Sequence, residues 1–449
     1  MTTRTRAAIL LLLLASALGV RPVLAADPAP RATHPASVLV NGRSYRWPQR
    51  PVVVVLIDGN DPEYVKAGIE RGILPNMKRF IEEGFGGVAL GAMPSFTNPN
   101  NLSVITGVPP SGHGISGNYF LDPATGREVM MNEPSLVRVP TILSAFSQAG
   151  AKVVALTAKD KLARMLAAGL DPGHGDITFS SERADACTRA RNGIDDCLAY
   201  VGRPLPDPYS GELSLFVLEA GALILEREKP DLMYLSTSDF MQHTFAPGSP
   251  EANAFYASLD RLLGRLAATG AIVAVTADHG MNDKSRADGS PNVLFLQDVL
   301  DGALGEGSTR VLLPITDPYV RHHGALGSYA TVFLHGSASP AQVAGILRGL
   351  QGIEVVLDRD AAARVYELPP DRIGDLVVVS DRGTVIGTRA RDHDLTKLAG
   401  HRLRSHGGLA ERNTYLMVSR PLDEEYEMLA VSRPLHNYDV FDFALNGLR

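Results

Sequence analysis

The stretch PVVVVLIDGN, residues 51–60, decides how this chain folds. Val52 to Ile57 is an unbroken aliphatic run, mostly β-branched, closed by the turn pair Asp58-Gly59. A run with no polar alternation reads as a parallel strand covered on both faces. Working outward, the same rhythm repeats. GILPNMKRFIEEG (72–84) is a helical run and GGVALGAM (86–93) a strand. TILSAFSQAG (141–150) predicts a helix, AKVVALTA (151–158) a strand, and ELSLFVLEAGALILERE (212–228) a helix. DLMYLSTS (231–238) is a strand, NAFYASLDRLLGRLAATG (253–270) a long amphipathic helix and AIVAVTADHG (271–280) a fifth strand. Short apolar strands alternating with amphipathic helices predict an α/β fold, a doubly wound, mostly parallel sheet with helices on both faces. Ligands of such sheets bind beyond the carboxyl ends of the strands.

The rhythm changes near residue 284. Gly, Pro and Asp become frequent, and YATVFLHG, IEVVLDR and LVVVSDRG suggest a smaller α+β cap domain over 284–396, inserted into the core. TYLMVSR (414–420) then returns as a last core strand. The expected organisation is a core of residues 46–283 and 397–449, preceded by a tether, 26–45, rich in Pro, Ala and Arg. Residues 1–25 have the form of a secretory signal peptide: Arg4 and Arg6, an apolar run from Ala7 to Val20, and the small-x-small site Val23-Leu24-Ala25. The run is too short for a membrane anchor. The expectation is a periplasmic or secreted protein with no membrane contact after cleavage near Ala25.

The 449 residues carry a formal charge of −6. Losing Arg4, Arg6 and Arg21 with the signal leaves about −9. An acidic exported chain argues against nucleic acid or anionic membranes as partners, so any anion must meet a local site. Cys187 and Cys197 are the two cysteines, and an oxidising compartment favours their pairing over two buried thiols.

Polar residues gather at strand ends. Asp58 ends the first strand, Asp239 follows the fourth, and Asp278-His279 end the fifth. Each has a plain reading as a turn or cap; their succession along one sheet edge favours a metal centre. Asp239-x-x-x-His243 places a carboxylate and an imidazole on one helical face, and His406 precedes the last core strand, where a further ligand could return. Carboxylate with imidazole suits zinc. Eight other histidines, His113, His174, His322, His323, His335, His393, His401 and His436, read as capping, loop or surface residues. Thr97, in MPSFTNPNN (93–101), reads first as a helix N-cap beside unpaired N–H groups that could hold an anion.

Taken together, Asp58-Gly59, Pro94-Ser95-Phe96-Thr97, Asp239-x-x-x-His243, Asp278-His279-Gly280 and Ser405-His406-Gly407-Gly408 resemble the alkaline phosphatase superfamily. The pattern is nearest its nucleotide pyrophosphatase/phosphodiesterase-like branch. Within that branch, Thr157-Ala158-Lys159-Asp160-Lys161, Ser111 to Asn118 and the T-N-P-N-N run resemble the phosphonoacetate hydrolase family. That resemblance implies an alkaline phosphatase-like core and two zinc ions per subunit. One would be held by Asp239, His243 and His406, the other by Asp58, Asp278, His279 and the Thr97 oxygen. It implies Thr97 as nucleophile, forming a phospho-threonine, and Asn118 with the Thr97 N–H as phosphoryl binders. Lys159 and Lys161 would hold the carboxylate of a small phosphonate, phosphonoacetate, split to acetate and phosphate. By spacing alone the two lysines read as surface. A nucleotide pyrophosphatase or phosphodiesterase using the same metals is the alternative, and a non-catalytic exported metal- or phosphonate-binding protein the second. A homodimer is compatible with this reading; the residues leave assembly open.

Overall fold

Val52–Leu56 is the strand around which an eight-stranded sheet is built. Leu232–Ser236 and Ile272–Thr276 flank it, both parallel. Val153–Thr157 and then Ile177–Ser180 extend the parallel side. On the other side Asn413–Val418 runs antiparallel to both its neighbours, Ile272–Thr276 and Phe85–Leu90, and Leu435–His436 closes the edge. The doubly wound, mostly parallel fold therefore holds, with the late strand as its one antiparallel member. The computed structural model describes residues 34–315, 324–398 and 401–449. The signal peptide, residues 26–33 of the tether, His322 and His323 lie outside the described residues. Among the described residues no helix is long and apolar enough to cross a membrane.

The unbroken apolar run has the expected cause. Val53, Val55 and Ile57 enter one core with Phe216 of helix Glu212–Glu228 and Leu259 of helix Pro250–Ala268. Val52, Val54 and Leu56 enter a second with Leu102, Phe146 and Phe441. Alternate side chains serve opposite faces, so both must be apolar. A third core lies in an antiparallel sheet ordered Thr309–Leu312, Tyr329–Leu334, Leu376–Ser380, Ile353–Asp358. It falls within the span expected for the inserted unit, yet it also takes in Met93 and Phe96 from the loop before Thr97. Asn282–Asp283 pairs with Arg404–Ser405, so the chain enters and leaves this region at one place.

Two local expectations need correction. Residues 37–46, assigned up to residue 45 to a tether, form the hairpin Ser37–Val40 and Arg43–Arg46. Asn41 and Gly42 both take positive φ, the Asn-Gly turn that matches hairpin twist, and buried Tyr45 docks the hairpin on the core. His113 is fully buried rather than a loop or surface residue. Its Nδ1 accepts the Ile115 N–H (3.1 Å) and its Nε2 meets Ser103 Oγ (2.9 Å).

Burial drives the His113 pKa down to about 3. The unfolded chain takes up a proton near pH 6.5 and the folded chain does not, so this group's contribution is intact above that pH and is lost on acidification. Stability should fall by about 2.5 kcal/mol between pH 7 and 4.5 through His113 alone. Urea melts of the parent and of His113→Gln across that window check this; an unchanged pH slope in the variant contradicts it.

Cys187 and Cys197 form a disulfide, with Cα atoms 5.7 Å apart. It closes a short loop beside helix Cys197–Val201, which leads into the segment carrying Pro208 and Tyr209.

Candidate active site

Four neighbouring parallel strands end level with one another: Thr276 pairs with Leu56, Leu56 with Ser236, and Ser236 with Thr157. Two or three residues beyond those ends lie, in spatial order, Asp278, Asp58, Asp239 and Lys159. Sheet register alone thus lines up three carboxylates and a lysine along one edge. Gly59 allows the close packing, because it sits at φ +69° and an added Cβ would lie 3.1 Å from the Asp239 Cβ.

The histidines arrive from separate segments and are fixed in one manner. His279 Nδ1 faces the Gly280 carbonyl (2.9 Å), His243 Nδ1 the Arg404 carbonyl (2.8 Å) and His406 Nδ1 the Ser95 carbonyl (2.8 Å). A carbonyl accepts only, so each Nδ1 carries a proton, and a ring that is neutral then presents the lone pair of its Nε2. Those lone pairs point at carboxylates: His243 Nε2 is 2.9 Å and His406 Nε2 3.7 Å from Asp239 Oδ2. His279 Nε2 is 3.4 Å from Asp58 Oδ1 and 3.5 Å from Asp278 Oδ2. The His279 and His406 rings stack at 3.6 Å.

Acceptors converging on acceptors are the arrangement that a bound cation would satisfy. Asp58 Oδ1, Asp278 Oδ2 and His279 Nε2 are buried and have no hydrogen-bond partner among the described residues. Ligands of a tetrahedral zinc at about 2.0–2.1 Å lie about 3.3 Å apart, which is the spacing of these atoms. The side chains form two groups whose donor atoms all lie within 4.8 Å of one another: Asp239, His243 and His406, and Asp58, Asp239 and His279. Asp239 belongs to both. Asp278 joins the second through His279, while its other oxygen accepts the Gly59 and His279 N–H groups (3.1 and 3.0 Å). Burial pushes the Asp58 carboxyl well above its usual range, with Asp239 and Asp278 adding to it. Burial also raises Asp278. Burial and its two imidazole neighbours keep His406 neutral, as a ligand must be.

Thr97 is the one residue between Gly91 and Gly107 that is not buried. It is the first residue of helix Thr97–Thr106, not its cap: Phe96 takes that position and its ring packs edge-on against Tyr329 and His406. The Thr97 hydroxyl therefore makes no capping bond, and its N–H, at the helix start, has no intrahelical acceptor. The asparagines after it hold it in place. Asn98 Nδ2 donates to the Met131 carbonyl. Asn100 Nδ2 donates to the carbonyls of Ala92, Pro94 and Phe96. Asn101 Nδ2 donates to the Thr97 carbonyl (3.0 Å) while its Oδ1 accepts from Tyr234 and Ser236 on a central strand. Gly407, at φ +120°, is required as well, since a Cβ there would sit 2.4 Å from the Phe96 ring.

Asn118 Oδ1 accepts the Asn98 N–H (2.9 Å), which fixes the amide and turns its Nδ2 donors away from that contact. The Asn118 N–H is anchored on the Pro314 carbonyl. Lys159 precedes helix Asp160–Ala167, so the T-A-K-D-K run is not extended and Lys161 lies in the first helical turn on the rim. Lys159 Nζ donates to the Pro208 carbonyl (3.1 Å) and lies 5.6 Å from the Tyr209 ring centre. Tyr209 in turn contacts Phe240, the residue after Asp239. Burial lowers the Lys161 pKa, and Lys159 adds to the effect. The arrangement combines two overlapping groups of candidate metal ligands, a held hydroxyl, amide donors and, at the far end of the row, ammonium groups.

A family model described as type I phosphodiesterase / nucleotide pyrophosphatase matches residues 52–408. Crystal structures of a phosphonoacetate hydrolase from Sinorhizobium meliloti 1021, in complex with phosphonoacetate and with phosphonoformate, are similar at TM-score 0.88 and 50% identity, over 92% of this chain and 98% of that one. Murine ectonucleotide pyrophosphatase/phosphodiesterase 5 in complex with AMP shares the fold, at TM-score 0.59 and 16% identity, over 89% and 96% of the two chains. An uncharacterized pyrophosphatase/phosphodiesterase of Schizosaccharomyces pombe is 25% identical over 257 residues, 56% of this chain; the match spans 44% of that curated relative's length.

Proposed function

Because this chain belongs to the type I phosphodiesterase / nucleotide pyrophosphatase family, we propose that it hydrolyses the carbon–phosphorus bond of phosphonoacetate, using two zinc ions and Thr97. The observation that carries the reading is the row of groups along one sheet edge, which ends in Lys159. The similarity to a phosphonoacetate hydrolase across nearly the whole chain supports it. Three imidazoles and three carboxylates fit zinc better than they fit the hard cations that prefer all-oxygen sites.

Held by Asp239, His243 and His406 and by Asp58, Asp278 and His279, two zinc ions would supply Lewis acidity at the phosphoryl oxygens and lower the pKa of a nearby hydroxyl. Thr97 Oγ attacks phosphorus, while the Thr97 N–H and Asn118 Nδ2 hold the phosphoryl oxygens and favour their growing charge. The P–C bond breaks and its electron pair passes to carbon. A plain alkyl carbanion is too basic to leave; here the charge delocalises into the adjacent carboxylate, held by Lys159 and Lys161. The carbon takes up a proton, balancing the one that the Thr97 hydroxyl gives up on attack, to give acetate; water then cleaves phospho-Thr97, restoring the hydroxyl and releasing phosphate. The leader read in residues 1–25 supports action outside the cytoplasm.

Lys159→Ala should lower phosphate release from phosphonoacetate by about a hundredfold or more while an aryl phosphate ester loses less than about threefold. Steady-state assays of both substrates check it. Equal loss on both would remove the carboxylate role and favour the phosphodiesterase alternative.

A further inference from the structure

Lys284 and Glu411 are a fully buried ion pair, 2.9 Å apart, that the chemistry above does not use. Replacing such a pair by apolar residues is often neutral or stabilising, so stability alone is a weak reason for it. Its hydrogen bonds suggest another. Glu411 Oε1 accepts from Lys284 Nζ and from Asn282 Nδ2 (2.7 Å), and Oε2 accepts the Gly408 N–H (3.0 Å). The Glu411 carbonyl accepts the Gly280 N–H (2.7 Å), and Lys284 Nζ also donates to the Arg382 carbonyl.

Gly280 follows His279 and accepts its Nδ1–H; Gly408 lies two residues after His406 and its carbonyl accepts from Ser95 Oγ. One residue thus pins both segments that carry the stacked imidazoles, where the chain leaves and re-enters the core. Ring stacking fixes the planes, but the spacing of the two Nε2 atoms depends on how far apart these backbones are held. We propose that Glu411 is a positioning residue that, through its reach to Gly408, sets the separation of His279 and His406 and so tunes both metal half-sites. Outer-shell partners that orient metal ligands commonly change metal affinity by about 10- to 100-fold when removed. The proposal rests on the two-metal reading above.

Two variants separate reach from charge. Glu411→Asp keeps the charge opposite Lys284 but is one methylene too short to hold Gly408 as well. The double variant Lys284→Met/Glu411→Gln removes both charges but lets the amide oxygen reach the Gly408 N–H. Zinc affinity, measured by competition with a chromogenic chelator, should fall at least about tenfold in Glu411→Asp and stay within about threefold of the parent in the double variant. Far-UV circular dichroism of the metal-free proteins should show all three folded. The reverse order of affinities, unchanged affinity in Glu411→Asp, or an unfolded Glu411→Asp chain each overturns the positioning role and leaves a plain structural ion pair. A parent protein that binds no zinc in the same titration would instead remove the two-metal reading.

Discussion

Thr97→Ala is expected to lower phosphate release from phosphonoacetate by about four orders of magnitude or more, at saturating zinc and with the fold intact. The size follows from the geometry. Thr97 alone breaks an otherwise buried stretch, and three asparagine side chains fix the backbone around it. Its hydroxyl makes no capping bond that alanine would lose, so the cost should fall on turnover rather than on stability. Thr97→Ser, which keeps the oxygen but not the methyl group that restricts its rotamers, should recover much of the rate. Single-turnover phosphate release with each variant separates these cases. A Thr97→Ala rate within tenfold of the parent would mean that water attacks phosphorus directly.

Metal removal should be nearly as severe. Asp58, Asp239 and Asp278 crowd one sheet edge, Asp58 and Asp278 buried, and three imidazoles face them. Without a cation this cluster is electrostatically unfavourable, so each filled site should add about 4 kcal/mol of stability at free zinc about a thousandfold above Kd. Dialysis against a chelator should therefore abolish turnover and lower the melting temperature by several degrees, and two equivalents of zinc should restore both. Asp239→Asn should mimic the loss at both sites together, because Asp239 belongs to both ligand groups. A melting temperature that ignores chelator and zinc alike would contradict the two-metal cradle.

Much of this was readable from residues alone, for a physical reason. A strand buried on both faces must be apolar throughout, so the runs around Val54 and Ala274 declare themselves, and the polar residues that follow must lie at the sheet edge. The cap assignment of Thr97 failed by one residue because local preference ranks Thr above Phe at that position. Packing of Phe96 on Tyr329 and His406 decided otherwise. The Asn41-Gly42 hairpin had a local signal that the polar composition around it obscured. Asn100, Asn101 and Glu411 had none: their partners Asn437, Tyr234 and Lys284 lie 337, 133 and 127 residues away, and no spacing rule reaches that far. His113 looked like one more loop histidine, and only the fold shows that it is enclosed.

The most direct test of the central claim is to incubate the zinc-loaded protein with phosphonoacetate and follow both products by NMR, with an aryl phosphodiester run in parallel. Acetate and phosphate appearing in equal amounts, faster than the diester is cleaved, is the expected result. An intact phosphonate beside a rapidly hydrolysed diester would contradict it.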